Sequence, residues 1–215
     1  MKKYRIALMC LALILAACDK KSADETPSPV EPPAPAPYTP PPAGEIKNPT
    51  FTLGAQNVPE HWSLQQHSSS DSYSLAVNDG VLSISRVGDE PWGVVKQTIR
   101  TRDMAPFLGK TLEFSADISA EFTDEYGEPY EPPALMVRLR GLRAGTPAML
   151  GRSNILTERT NIETLTGYLP WRRYTVRFDV PEAGEASAVD LELNILMTSG
   201  GVMHVRGPSL VVVGE

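Results

Sequence analysis

The clearest pair of carboxylates in the sequence stands in the segment DLELN, where Asp190 and Glu192 alternate with apolar residues. On a β-strand, two such residues point to the same face and lie about 7 Å apart. That spacing falls within the roughly 5–9.5 Å that separates the two carboxyl groups of glycoside hydrolases. The pair is therefore the candidate for catalysis. It lacks the E-x-D-x-x-E arrangement that some glycosidases use, and two solvated strand acids explain it more simply.

Other catalytic groups are missing from the sequence. It contains no G-x-S-x-G motif and no phosphate-binding glycine loop, and its two cysteines, Cys10 and Cys18, both stand near the start. The three histidines, His61, His67 and His204, do not have metal-ligand spacing. We therefore expect a non-catalytic protein without a cofactor or a bound metal.

Aromatic side chains are the next candidates, because sugars present apolar faces that stack on rings. Trp92 follows the turn segment GDEP and precedes a predicted strand, which suits the edge of a cleft. Trp62 and Trp171 stand at strand starts.

The polar segment FTDEYGEPYEPP, residues 122–133, is the longest insertion between strong strands. Tyr126 and Tyr130 stand there among four carboxylates, those of Asp124, Glu125, Glu128 and Glu131. Such a loop is either a solvated acidic surface or a binding site for a sugar, a cationic partner or calcium. The spacing does not match an EF-hand loop.

Arg138 and Arg140 point to the same face of one predicted strand. Two guanidinium groups so placed can hydrogen-bond sugar hydroxyls or a carboxylate. The simpler interpretation pairs them with acids on neighbouring strands, such as Asp117.

The elements that would position these residues are strands, because hydrophobicity in residues 46–215 alternates with a period of two. The strongest strands are predicted at 111–120, 134–142, 173–180 and 190–197, and further ones at 73–77, 81–85, 93–99, 202–205 and 210–213. Short helical turns are predicted in RDMAPFLG and TERTNIETL. Nine or ten short strands predict an all-β fold, a single antiparallel β-sandwich domain.

The first 17 residues predict a targeting segment. Lys2, Lys3 and Arg5 precede twelve apolar residues, 6–17, a run shorter than the roughly 20 residues that span a bilayer but suited to a signal peptide. Leu15-Ala16-Ala17-Cys18 resembles the lipobox of bacterial lipoproteins. The resemblance implies that the Cys18 thiol is lipidated and that Cys18 becomes the first residue after cleavage.

The same resemblance implies a place in the cell envelope. Asp19 directly after the cysteine favours the periplasmic side of the inner membrane, with the outer membrane as the alternative. Residues 18–45, with nine prolines between Pro27 and Pro42, predict a disordered, extended spacer. Tyr38 among those prolines would also suit a groove that recognises proline-rich segments.

Charge and cysteine content set further limits. The formal charge is −6, and loss of Lys2, Lys3 and Arg5 takes it to −9, which argues against nucleic acid as a partner. With Cys10 removed and Cys18 lipidated, the domain has no cysteine left for a disulfide. It must be held together by its core.

The order of features along residues 46–213 resembles the galactose-binding-like jelly roll of many carbohydrate-binding modules. The resemblance rests on Asn48-Pro49-x-Phe51, Trp62, the strand led by Trp92, FLGKTLEFSADISA, LPWRRYTVRFDVPE and GGVMHVRGPSLVVV. It implies that Trp62 and Trp171 are structural residues at the rim of the core. Such modules often carry acidic residues in the last strand that help hold calcium. This chain has His204, Arg206 and Gly207 there, which weakens the case for a metal.

Together these features predict a lipid-anchored jelly-roll module that binds a carbohydrate without catalysis. The predicted ligand-binding residues are Trp92, Tyr126, Tyr130, Arg138 and Arg140, and the predicted lipidation site is Cys18. One alternative is an accessory envelope protein whose sandwich binds another protein. The other is a divergent glycoside hydrolase that uses Asp190 and Glu192.

The first testable prediction concerns Cys18. A Cys18→Ser variant lacks the thiol that forms the thioether, so we expect it to remain unprocessed and to lose labelling with radioactive palmitate. Labelling equal to that of the wild type would contradict the lipoprotein prediction.

Overall fold

The computed structural model describes residues 38–39, 42, 44–68, 71–163 and 165–214. The predicted signal peptide, Cys18 and most of the predicted linker lie outside the described residues. Ten strands and four short 3₁₀ helices follow one another. The strands are β1 Ser63–Gln66, β2 Tyr73–Asn78, β3 Val81–Arg86, β4 Gly93–Ile99, β5 Thr111–Thr123, β6 Ala134–Arg143, β7 Ser153–Asn161, β8 Gly167–Asp179, β9 Ala186–Met197 and β10 Gly200–Val212. The 3₁₀ helices are Ala55–Asn57, Thr101–Asp103, Ala105–Phe107 and Ala148–Leu150.

The strands form two five-stranded sheets. The first sheet has the order β1-β4-β9-β6-β7 and the second the order β2-β3-β10-β5-β8, and all neighbours within each sheet are antiparallel. From β4 onward the chain crosses between the sheets at every connection except the one from β6 to β7, which are neighbours in the first sheet. The predicted all-β jelly-roll sandwich is confirmed. In the described part of the chain, no helix is long and apolar enough to cross a membrane.

The core lies between the two sheets, where the predicted alternation places apolar side chains. Phe114 and Ile118 of β5 and Leu191 and Leu193 of β9 are fully buried. Trp62 is buried as well, with its ring 5.2 Å from that of Phe51, which confirms its structural role. Each such side chain contributes about 1.5–3 kcal/mol when it leaves water, so the alternation determines which face of each strand turns inward.

Two local predictions differ from the structure, and two strands, β1 and β7, were not predicted. The helical turn predicted in TERTNIETL is wrong, because residues 157–161 belong to β7. β7 and β1 are edge strands of the first sheet, and their half-exposed side chains do not alternate in hydrophobicity as those of central strands do. The two strands predicted at 202–205 and 210–213 are one strand, β10, with a register shift between Arg206 and Ser209. Such a bulge interrupts the alternation without ending the strand.

The other predicted helical turn, in RDMAPFLG, is confirmed as two 3₁₀ helices. They connect β4 of the first sheet to β5 of the second.

Tyr38, inside the predicted linker, packs on the outer face of the second sheet. The guanidinium of Arg206 lies between two rings, 3.7 Å from the centroid of Tyr38 and 4.1 Å from that of Trp171. Ser209 Oγ donates a hydrogen bond to the Pro42 carbonyl at 2.6 Å, and the Glu45 amide donates to the Leu210 carbonyl at 3.1 Å. Contacts with the domain therefore begin before residue 46.

Trp171 was predicted at the rim of the core, but that position is wrong. Its side chain lies on the outer face of the second sheet, is 37% exposed and stacks on Arg206. Strand parity agrees with this outward position, because Tyr174, Val176 and Phe178 point inward and Trp171 is out of phase with them.

The stacking of Arg206 gives a second prediction. Trp171→Ala removes one of the two rings that stack on Arg206, and such a cation–π contact contributes about 0.5–1 kcal/mol at an exposed site. The segment that begins at Tyr38 is then held less tightly on the sheet, so we expect the Glu45 amide to exchange about two- to fivefold faster. Hydrogen exchange measured by NMR would show this. Tyr168→Ala, a 68% exposed ring on the same strand, is the matched control. Equal exchange in wild type and Trp171→Ala would contradict the prediction.

Candidate functional site

A cleft of about 240 Å³ lies on the outer face of the first sheet, above β4, β9 and β6. Three of the predicted binding residues line it, Trp92, Tyr130 and Arg138. The structure therefore brings together side chains that stand far apart in the sequence. The other two predicted residues, Tyr126 and Arg140, are not part of its lining.

The floor of the cleft is apolar. Leu196 and Met136 are each 3% exposed, although both point away from the core between the sheets. Val94, Ala134 and Leu196 form a small apolar cluster separate from the main core, and Trp92 packs against it. This second cluster forms because β9 is the central strand of the first sheet, so its neighbours cover its outer face as well.

Trp92 is held at the rim by the turn that precedes β4. Tyr73 Oη donates a hydrogen bond to the Glu90 carbonyl at 3.1 Å. The Tyr73 ring also lies against Gly93, where an added Cβ would come within 2.6 Å of it. His67 meets the Trp92 ring edge-on, with the centroids 5.8 Å apart. The indole is therefore positioned before any ligand arrives, which lowers the entropic cost of binding.

Tyr130 stands at the other side of the cleft. β4 and β6 flank β9 and start at the same end of it, so Trp92 and Tyr130, which precede these strands, lie on either side of β9. The Tyr130 side chain is 65% exposed, and its hydroxyl donates a hydrogen bond to Glu131 Oε1 at 2.6 Å.

Glu131 fixes this wall of the cleft. Arg159 forms an ion pair with its carboxylate, and Thr198 Oγ1 donates to its carbonyl at 2.8 Å. Partial burial on its own would raise the pKa of Glu131, but the hydrogen bonds from Tyr130 and Arg159 outweigh it and hold that pKa below its usual value. Glu131 is therefore an ionised structural anchor.

Polar side chains surround the apolar floor. Lys96 Nζ donates to Gln65 Oε1 at 2.9 Å, and Asn194 Nδ2 donates to the carbonyls of Met136 at 3.3 Å and Glu192 at 3.0 Å. Arg138 Nε is buried and has no hydrogen-bond partner among the described residues. The cleft thus offers hydrogen-bond donors and acceptors around its apolar floor.

Tyr126 and Arg140 have structural contacts outside the cleft. The guanidinium of Arg86 lies 4.4 Å from the centroid of the Tyr126 ring and is itself bonded to the carbonyl of Thr198. Arg140 Nη1 lies 3.7 Å from Glu192 Oε1. The expected pairing with an acid of a neighbouring strand is confirmed for Arg140. The acid is not Asp117, which belongs to the second sheet and pairs there with Arg173.

Asp190 and Glu192 are engaged in structural pairs. Asp190 accepts hydrogen bonds from the Thr101 amide at 2.7 Å, the Thr101 hydroxyl at 2.8 Å and Arg152 Nη1 at 2.9 Å. Burial on its own would raise the pKa of Asp190, but these bonds lower it to about 2. Neither carboxylate lines the cleft, so the pair does not form a catalytic site there.

Gln65, Lys96 and Asn194 were missed in the sequence. Gln65 belongs to the unpredicted edge strand β1. Lys96 and Asn194 stand at outward positions of predicted strands, opposite each other in the pairing of β4 with β9. The available signal was Asn194, a polar residue in the apolar run LNILM.

The sequence matches no protein-family model and no curated protein. Solved structures resemble its fold. The enzymatically active domain of tailspike protein 4 from bacteriophage CBA120 has a TM-score of 0.47 at 12% identity, over 80% of this chain. A CBM4 module has a TM-score of 0.43 at 16% identity, over 78% of this chain and 99% of that one. The C-terminal family 22 carbohydrate-binding module of Clostridium thermocellum Xyn10B has a TM-score of 0.41 at 10% identity, over 79% of this chain and 96% of that one.

This chain spans 22% of the tailspike chain. The identities of 10–16% leave the function to be argued from the cleft itself.

The Asp190 contacts give a third prediction. Because the folded-state pKa of about 2 lies below the ordinary 3.8, the ionised carboxylate stabilises the fold above pH 4, and this contribution is lost as the pH falls toward 2. We expect Asp190→Asn to lower the free energy of unfolding by about 2 kcal/mol at pH 7.

Urea unfolding of both proteins between pH 2 and pH 7 measures this difference, which should vanish near pH 2. Glu128→Gln, at an exposed position, is the control. A difference that stays constant over the whole pH range would contradict the assignment.

Proposed function

We propose that this domain is a non-catalytic module that binds a carbohydrate in the cleft on the first sheet. One observation carries the proposal. Two aromatic rings, those of Trp92 and Tyr130, flank an apolar floor that is bordered by Gln65, Lys96 and Arg138.

That arrangement suits the chemistry of a sugar. A pyranose ring has C–H faces that pack on aromatic and aliphatic surfaces, and a rim of hydroxyl groups that need hydrogen bonds. Buried hydroxyls without partners are costly, so a sugar site requires both kinds of surface within one sugar width. The volume of about 240 Å³ is slightly below the roughly 300–1,000 Å³ of ordinary small-molecule pockets, which suits an open cleft that holds part of a longer chain.

We also propose that the cleft binds its ligand without hydrolysing it. Glycoside hydrolysis needs an acid and a second carboxylate on either side of the bond that breaks. Glu131 is the one carboxylate among the described lining residues. Its oxygens already accept hydrogen bonds from Tyr130 and Arg159.

The proposed module is attached to the cell envelope through lipid at Cys18, on the periplasmic side. The lipobox sequence supports this attachment, and so does the place where the chain enters the domain. Tyr38 and Pro42 contact the outer face of the second sheet, whereas the cleft lies on the outer face of the first. The described part of the chain therefore begins, at Tyr38, on the face opposite the cleft.

The fourth prediction tests carbohydrate binding. The full-length chain, purified in mild detergent, is titrated by calorimetry with cell-wall and plant-type oligosaccharides. We expect saturable binding of at least one of them, and Trp92→Ala should weaken it about tenfold or more, because an aromatic anchor typically contributes most to such a contact. Trp171→Ala, an exposed indole on the opposite face, is the matched control.

Equal weakening by both tryptophan variants would mean that the site is not this cleft. No binding across the panel would overturn the carbohydrate proposal. In that case, capture of an envelope protein by the wild type but not by Trp92→Ala would favour a protein partner.

A further inference from the structure

Among the described residues that line the cleft, Arg138 is the one charged side chain with a buried nitrogen that has no hydrogen-bond partner. Three buried side-chain atoms have no hydrogen-bond partner among the described residues, Arg138 Nε, Ser199 Oγ and Arg206 Nε. The positive charge of Arg206 is stabilised by the rings of Tyr38 and Trp171 and by Asp117, whose Oδ2 lies 3.9 Å from Arg206 Nε. Ser199 carries no charge. Arg138 carries a charge and lines the cleft.

The acids nearest to Arg138 along the sheet are engaged elsewhere. Glu192 is its direct neighbour on β9, but the Glu192 carboxylate pairs with Arg140. Glu131 also lines the cleft, and the charge of Arg138 helps to lower its pKa, but the oxygens of its carboxylate are bonded to Arg159 and Tyr130 and not to Arg138. On its other side, Arg138 faces the neutral Thr157 of β7.

The cleft is therefore electropositive in an acidic protein. Of the charged groups that line it, the negative Glu131 is balanced by Arg159. Lys96 and Arg138 remain, and Lys96 is bonded to the neutral side chain of Gln65. These two positive charges stand beside an apolar floor, although the formal charge of the whole chain is −6. An anion that enters the cleft would be attracted by both, and more strongly where water is displaced.

We propose that the cleft selects an acidic glycan, one whose sugar carries a carboxylate, with Arg138 as the group that binds it. This inference rests on the proposed function, since it assigns a class of ligand to the same cleft. A guanidinium binds a carboxylate through two parallel hydrogen bonds. The pyranose ring stacks against Trp92 or Tyr130, and its carboxylate takes the place that no acid of the protein fills.

The test compares each acidic sugar with its own neutral form. The probes are an oligogalacturonide, with carboxylates along its backbone, and a glucuronic acid-substituted xylo-oligosaccharide, with one on a branch. Each is also used after chemical reduction of its carboxyl groups to alcohols. The full-length chain in detergent is titrated with all four by calorimetry. The backbone and branch probes distinguish the two sources of the same carboxylate.

We expect the wild type to bind at least one acidic probe about tenfold to hundredfold tighter than its reduced form, the range for a hydrogen bond to a charged group. The preference should shrink as salt is raised from about 0.05 to about 0.5 M. Arg138→Gln should abolish the preference while the affinity for the reduced form stays within about twofold. Arg138→Lys, which keeps the charge but not the paired donors, should keep part of it.

Arg177→Gln is the matched control, since it removes the same charge from an exposed position on the second sheet. Thermal unfolding of each variant shows that it is folded. Equal affinity for acidic and reduced probes, or an unchanged preference in Arg138→Gln, would overturn the acidic-glycan inference and leave the carbohydrate proposal standing. Failure of the wild type to bind these probes and the neutral panel would overturn both.

Discussion

Burial of β9 on both faces is the constraint on which the rest of the structure depends. From Val189 to Met197 every residue of this strand is buried. The inward side chains, such as Leu191 and Leu193, complete the core against the second sheet. The outward side chains are covered by β4 and β6 and by the segments that precede them. One strand thus supplies both the centre of the fold and the floor of the cleft.

Because the outer face of β9 is buried, each polar group on it must have a partner. Asp190 is bonded to Thr101 and Arg152, which ties β9 to the turn after β4 and to the start of β7. Asn194 bonds to neighbouring backbone carbonyls. Residues that look reactive in the sequence therefore hold the sheet together, and the lowered pKa of Asp190 follows from its structural contacts.

The cleft differs from the rest of the sheet in how completely its charges are paired. Arg152 and Arg159 each have a carboxylate within hydrogen-bond reach, whereas the buried Nε of Arg138 has no hydrogen-bond partner among the described residues. Fully satisfied groups stabilise a fold, and an unsatisfied one costs free energy unless a ligand completes it. The two aromatic rings at the rims of the cleft are held by bonded neighbours instead: Tyr73 donates to the Glu90 carbonyl in the turn before Trp92, and the Tyr130 hydroxyl donates to Glu131.

The sequence by itself was sufficient to predict the sandwich, because inward side chains in central strands alternate and alternation is a local property. The same parity predicted that Arg138 points outward, and the position of Trp92 after a turn suggested a rim. The edge strands of the first sheet, β1 and β7, could not be recognised because their half-exposed side chains leave no periodic signal of hydrophobicity, whereas the edge strands of the second sheet, β2 and β8, were predicted.

Only the tertiary structure decided which outward residues meet. Trp92, Tyr130 and Arg138 share a cleft because β9, from the end of the chain, lies between β4 and β6. Tyr126 stands four residues before Tyr130, yet it packs on Arg86 outside the cleft. Which carboxylates are taken and which arginine is left without one depends on distances across strands, and those distances are set by long-range pairing that no local pattern encodes.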